Sequence, residues 1–188
     1  NVWNYIVPLW VSSHLIKWWI DEEKIIEMDW YDEANISDIN FIFTPSRHFS
    51  GRNLDNRNST LWWWWIINNN EQNVFISWDW WYFDEFKKIW ENYWPFDIAF
   101  IENWSYNKAW SEIHMFPEQG VQAWIDLNTK LVLPIHWAKF DLSTHKWDEP
   151  INRFTKEAES KNVQVATPII WEIFSLKNYS NDKWWLNF

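Results

Sequence analysis

A chain of 188 residues with only two glycines, Gly51 and Gly120, has almost no residue suited to a left-handed turn. Glycine takes positive φ freely, whereas other L-residues lose about 1–2 kcal/mol there. At the average usage of about 7%, a chain this long would carry roughly 13 glycines. The shortfall is matched by a surplus of 22 tryptophans. The stretch FISWDWWYF, residues 75–83, sets Asp79 among three of them, and LWWWWII, residues 61–67, has four in a row. A layered fold needs tight turns, so the positions of these indoles constrain everything else.

Apolar periodicity divides the chain into alternating elements. Strands are expected over 4–9, 24–30, 39–45, 59–69, 73–79, 96–102, 130–137 and 163–170. Helices are expected over 12–20, 83–93, 117–128 and 149–162, the third opening with Pro117 at a first helical position. Strands alternating with helices indicate an α/β sandwich in one domain. There is no internal repeat and no linker, and residues 173–188 carry no pattern.

Charge and composition remove several function classes. The net charge of −10 argues against nucleic acid, which is bound by basic surfaces. No apolar run reaches the length of a membrane span. Without cysteine there is neither disulfide nor thiolate ligand, so a metal would rest on His, Asp or Glu. No leader is visible, although the chain begins at Asn1 with a strand and reads as a fragment. The expected location is the cytoplasm or a membrane surface, with oligomeric state open.

His48, Asp79 and His136 each fall at or just past the end of an expected strand. Strand C-termini are where α/β folds gather functional groups. Two imidazoles and a carboxylate suit an N/O metal site, and the same residues suit plain capping or surface roles. His114 precedes a helix start, where a loop role and a substrate contact are both open. His14 and His145 read as helix-start and solvated residues, Asp97 as a structural residue, and Tyr82 and Lys139 as rim groups.

Several segments follow one another in a familiar order: TPSRHFSGRNLDNRNSTLW (44–62), SWDWWY (77–82), PFDIAFIENWSYN (95–107), IHMFPEQGVQA (113–123) and LPIHWAKFDLSTHKWDEPI (133–151). They resemble the metallo-β-lactamase superfamily, and within it the branch of N-acylphosphatidylethanolamine-hydrolysing phospholipase D. The resemblance covers residues 4–172 and leaves 173–188 as a tail. It implies an αββα sandwich whose N-terminal part, with an H-x-H-x-D-H motif carrying four ligands, is missing from residues 1–188. It also implies two Zn2+ ions, with His48 completing one site, Asp79 bridging both, His136 completing the other, and His114 lining the substrate side. The activity implied is a phosphodiesterase on a phospholipid-like or small phosphorylated substrate, with a hydroxide between the metals as nucleophile. A sugar-acid-phosphate lactonase and a non-catalytic aromatic binding module are the alternatives, and the fragment alone is expected to be inactive.

The resemblance also accounts for the indoles. The family pattern S-G-D-x-G-Y appears here as Ser77-Trp78-Asp79-Trp80-Trp81-Tyr82. Tryptophan likewise stands at family glycine positions at Trp10, Trp19, Trp90, Trp94, Trp104 and Trp171, and at one or two of Trp63, Trp64 and Trp65. Some bacteria read UGA as glycine, so translating such a gene with a table that reads UGA as tryptophan would give this pattern.

Overall fold

The computed structural model describes residues 2–51, 55–103, 106–110, 114–140 and 143–188. β1 (Tyr5–Pro8) and β2 (Ile25–Met28) pair in parallel as a two-stranded ribbon, connected through α1 (Ser12–Lys17). The main sheet holds six strands in chain order: β3 (Glu33–Ile36), β4 (Ile39–Pro45), β5 (Trp63–Asn68), β6 (Asn73–Ile76), β7 (Ile98–Glu102) and β8 (Leu131–Ile135). β3 to β6 run antiparallel, while β6, β7 and β8 are parallel. α2 (Glu85–Tyr93) and α3 (Pro117–Leu127) make the two parallel crossovers, and α4 (Glu149–Ser160) follows β8. Two reversals separate β4 from β6, so β4, β6, β7 and β8 all point the same way. Their C-terminal ends share one edge of the sheet.

The strand period of two decides which residues meet which layer. Ile42, Trp64, Ile66, Phe75, Ala99, Ile101 and Val132 face the helices, where Phe86, Ile89, Val121 and Phe154 close a fully buried core. The alternate residues face the opposite side, which is covered in two patches. Phe43, Trp63 and Trp65 pack against Ile6, Ile26 and Met28 of the ribbon. Ile98, Phe100, Leu131 and Leu133 pack against Phe174, Leu176 and Tyr179. Burying a side chain of this size is worth about 1.5–3 kcal/mol, so both faces of the sheet contribute to stability. Among the described residues no helix is long and apolar enough to cross a membrane.

Three expectations need correction. The strand expected over 163–170 is only a parallel bridge between Val165 and Val132. Pro168 has no N–H to continue the ladder, and the Thr167 N–H turns away to the Ser180 carbonyl at 2.7 Å. The patternless tail is packed: Trp185 is 1% exposed, and its Nε1 donates to Asn152 Oδ1 at 2.9 Å. β3 was not expected, because its four residues EANI are too few and too polar to show a period.

Three tryptophans hold backbone conformations that favour glycine. Trp10, Trp19 and Trp171 have φ of 70°, 66° and 73°. Trp19 follows the Trp18 cap of α1, where its N–H donates to Ile16 O at 3.0 Å and the Ile20 N–H donates to Leu15 O at 3.1 Å. That is a Schellman ending, in which glycine is the usual residue at the left-handed position. Trp10 is third in the turn closed by Val11 N–H to Pro8 O, and Trp171 is third in the turn closed by Glu172 N–H to Ile169 O. Positive φ at the third residue is the mark of a type II turn, again a glycine position. Their side chains are 56%, 93% and 96% exposed, so burial returns little for the strain. By contrast, Trp63, Trp64 and Trp65 lie in β5, where nothing in the backbone favours glycine. Trp78, Trp81, Trp90 and Trp94 also lack positive φ. Trp104 lies outside the described residues.

Candidate metal centre

The shared edge collects the polar residues of the sequence. His48 lies three residues past β4, Asp79 three past β6, and His136 directly after β8 with φ of 66°. His114 lies between β7 and α3 and is buried. One ring nitrogen each of His48 and His114 and one carboxylate oxygen of Asp79 lie within 4.8 Å of one another. His136 joins them through Nε2, which is 2.5 Å from Asp79 Oδ1. The structure therefore brings together all four residues singled out in the sequence.

Two loops hold this arrangement. The Trp81 N–H donates to Arg47 O at 3.1 Å, and the Arg47 guanidinium lies 3.8 Å from the centre of the Trp81 ring. These contacts fix the Asp79 loop against the His48 loop. Glu102, at the end of β7, was not singled out in the sequence. Its signal was a charged residue closing the otherwise apolar strand IAFIE.

The electrostatics follow from burial and mutual contact. Burial opposes ionisation of Asp79, but the hydrogen bond and charge of His136, with His114 and His48 behind it, lower its pKa below the ordinary 3.8. Burial also disfavours the His136 cation, but the Asp79 contact prevails and raises His136 above 6.5. Burial lowers His48 below its ordinary value and takes His114 to about 4, so His114 is neutral near pH 7. Burial, together with the Asp79 charge, raises Glu102 well above the usual carboxylate value. An opposite charge a few ångströms away favours ionisation, so a divalent cation among the donors would draw Glu102 back to its charged form.

The donor set fits a divalent metal such as zinc. The His48 Nδ1–H donates to Phe49 O at 2.9 Å. This assigns the proton to Nδ1 and leaves the lone pair on Nε2, which is buried and has no hydrogen-bond partner. A buried acceptor without a partner is costly unless a ligand completes it. Histidine nitrogen and carboxylate oxygen are the donors zinc takes in the absence of thiolates.

The centre opens on a cavity of about 760 Å³ lined by Phe49, Leu61, Trp62, Trp63, Trp78 and Ile135, with Ser46, Ser50 and Thr60 as its hydroxyl groups. The residues expected at the rim lie elsewhere. The Tyr82 hydroxyl donates to Asp126, Lys139 sits 5.3 Å from the Phe140 ring, and neither lines the cavity. Asp97 accepts the Asn73 N–H and pairs with Lys130 at 2.7 Å, which is a structural role. His14 lies in α1, and His145 stacks on Tyr106.

A pH dependence follows from the Asp79–His136 pair. In the metal-free chain the lowered carboxylate contributes stability that is present above pH 3.8 and lost as the pH falls further. The raised imidazole contributes stability that is present below pH 6.5 and lost as the pH rises through its elevated value. A metal bound through His136 must displace that proton. Zinc uptake at pH 6.5 is therefore expected to release protons, from His136 and from Glu102 as it ionises, and calorimetry in buffers of different ionisation enthalpy measures them. Uptake with no proton released would show that His136 is not a ligand and that the ion lies away from Glu102.

Residues 2–137 match the family model described as the β-lactamase superfamily domain. The chain is 36% identical over 168 residues to the uncharacterized protein Rv0906 of Mycobacterium tuberculosis, covering 88% of this chain and 45% of that protein. It is 26% identical over 164 residues to the mitochondrial N-acyl-phosphatidylethanolamine-hydrolyzing phospholipase D of Saccharomyces cerevisiae, covering 81% of this chain and 35% of the enzyme. Among solved structures, the metallo hydrolase Igni18 of Ignicoccus hospitalis superposes with a TM-score of 0.64 at 18% identity, over 87% of this chain and 64% of that one. The chain thus spans about half the length, or less, of these two curated relatives.

Proposed function

Because this chain belongs to the β-lactamase superfamily domain family, we propose that it carries the reaction site of a metal-dependent phosphodiesterase acting on a phospholipid-like or small phosphorylated substrate. The observation that carries this reading is the orphaned Nε2 of His48, a residue that is grouped with Asp79 and His114 and lines a largely apolar cavity. The metals expected are two zinc ions, which His48, Asp79 and His136 would help to hold. Bound there, zinc supplies a Lewis acid and a nucleophilic water at neutral pH.

The remaining roles fall to the chain itself. Among the described residues no lysine or arginine lines the cavity, which suits a metal-dependent reaction. Phe49, Trp63 and Ile135 offer apolar surface to the non-reacting part of the substrate and exclude water. Neutral His114 holds a ring nitrogen beside His48 and Asp79. The cavity favours an acyl- or aryl-bearing diester over a sugar acid. We place the protein in the cytoplasm or at a membrane surface.

The test uses the gene extended to the length of its relatives, because four donors gathered here are fewer than a dinuclear centre takes. With zinc, the extended protein is expected to hydrolyse a glycerophosphodiester, and Leu61→Ala in the cavity wall is expected to raise KM several-fold at nearly unchanged kcat, as loss of uniform binding does. Turnover of a sugar-acid lactone alone would favour the lactonase, and carbohydrate binding without turnover would favour an aromatic binding module.

We also infer that the cell places glycine at Trp10, Trp19 and Trp171, through UGA codons. The three left-handed turns support this reading. The gene's DNA tests it: TGG at codons 10, 19 and 171 would overturn it.

A further inference from the structure

Glu102 is 2% exposed, and its carboxylate makes two hydrogen bonds that lead to separate parts of the site. Oε2 accepts the Trp80 N–H at 2.7 Å, in the residue that follows Asp79. Oε1 lies 2.5 Å from His114 Nδ1. Its own N–H donates to Ser77 Oγ at 2.9 Å, and the Ser77 N–H donates to Phe100 O at 2.9 Å. One buried side chain therefore joins the end of β7, the loop that carries Asp79, and the segment that carries His114. Burying a carboxylate costs several kcal/mol, and fold stability is better served by an apolar residue there. A role at the site explains its presence.

We propose that Glu102 is a positioning residue: it takes the His114 Nδ1–H and the Trp80 N–H together, so that the His114 Nε2 lone pair points at the His48–Asp79 donor set. This rests on the metal-hydrolase reading above. Carboxylate contacts of this kind fix the tautomer and ring orientation of metal-site histidines.

Both partners of Glu102 donate, and this makes E102Q informative. Glutamine offers one acceptor and one donor in the same volume. Its carbonyl accepts the Trp80 N–H, and its NH2 then faces His114 Nδ1. The imidazole must accept there and carry its proton on Nε2. The variant keeps the shape and turns a proton, in place of a lone pair, toward the donors.

The experiment measures zinc affinity of the chain and of E102Q by competition with a chelator, together with 15N NMR of the histidine ring nitrogens in the zinc-loaded protein. Wild type is expected to bind zinc with the His114 proton on Nδ1. E102Q is expected to lose about 10- to 100-fold in affinity, the range for groups that orient ligands. E102D, which keeps two acceptors, is expected to recover part of the loss. Equal affinity for wild type and E102Q would overturn the proposal and leave the metal reading intact. Absence of zinc binding by wild type would overturn both. Should E102Q fail to fold, the wild-type spectrum decides, because a His114 proton on Nε2 contradicts the assignment.

Discussion

Asp79→Asn is expected to lower the zinc affinity of the chain by about 100-fold or more. Zinc bound by four ligands gains roughly 10–16 kcal/mol, so one ligand's share is near 3 kcal/mol, about two decades. Asp79 exceeds an average share because it brings the negative charge among three imidazoles and touches His136 directly. Asparagine keeps the shape and an oxygen but loses the charge. The substitution also removes the partner that raises His136, so its pKa is expected to fall toward or below 6.5, and zinc uptake at pH 6.5 is expected to release less proton. The fold is expected to survive, because the carboxylate is 36% exposed and lies outside the apolar cores. Calorimetric titration with zinc, beside a thermal melt of each protein, separates lost ligation from lost structure. Unchanged affinity in a folded Asp79→Asn chain would remove Asp79 from the metal set.

The second large effect concerns the tryptophans. Trp10→Gly, Trp19→Gly and Trp171→Gly, combined, are expected to stabilise the chain by about 2–3 kcal/mol. Each substitution relieves about 1–2 kcal/mol of left-handed strain, against about 0.4–1 kcal/mol for the freer unfolded chain. For a chain of this size that is a rise in Tm of roughly 5–10 °C. The same substitution at Trp64 or Trp80 is expected to do the opposite. Both are fully buried, with ring centres 4.8 Å apart in the core against Phe86. Deleting a buried indole costs at least about 3–5 kcal/mol. The sign of the change should follow backbone conformation and burial together. Destabilisation by the exposed triple substitution would show that the turns are not glycine positions, and tolerance of Trp64→Gly would show that burial does not set the sign.

The parts of this molecule that could be read from sequence are those with a long period or a local stop. β4 ends at Pro45, α3 begins at Pro117, and both bounds were visible from proline alone. His48, Asp79 and His136 were visible because each follows an apolar run, and a sheet whose strands share a direction delivers such residues to one edge. Glu102 was not visible. Its role depends on Trp80 and His114, which are 22 and 12 residues away, and no spacing rule links them. The packed tail was hidden for a similar reason: Trp185 is buried only because Trp137 and α4 lie beneath it. The tryptophan excess suggested misplaced glycines, but the turns show which of them the backbone strains: Trp10, Trp19 and Trp171, and none of Trp63 to Trp65.

The position of zinc in a crystal of the chain, located by its anomalous scattering, tests the central claim most directly. The expected result is an ion about 2.0–2.2 Å from His48 Nε2 and from an Asp79 carboxylate oxygen, with a ring nitrogen of His114 or His136 completing its contacts. Zinc at saturating concentration that leaves His48 Nε2 and Asp79 untouched, or settles only on surface carboxylates, would contradict the account.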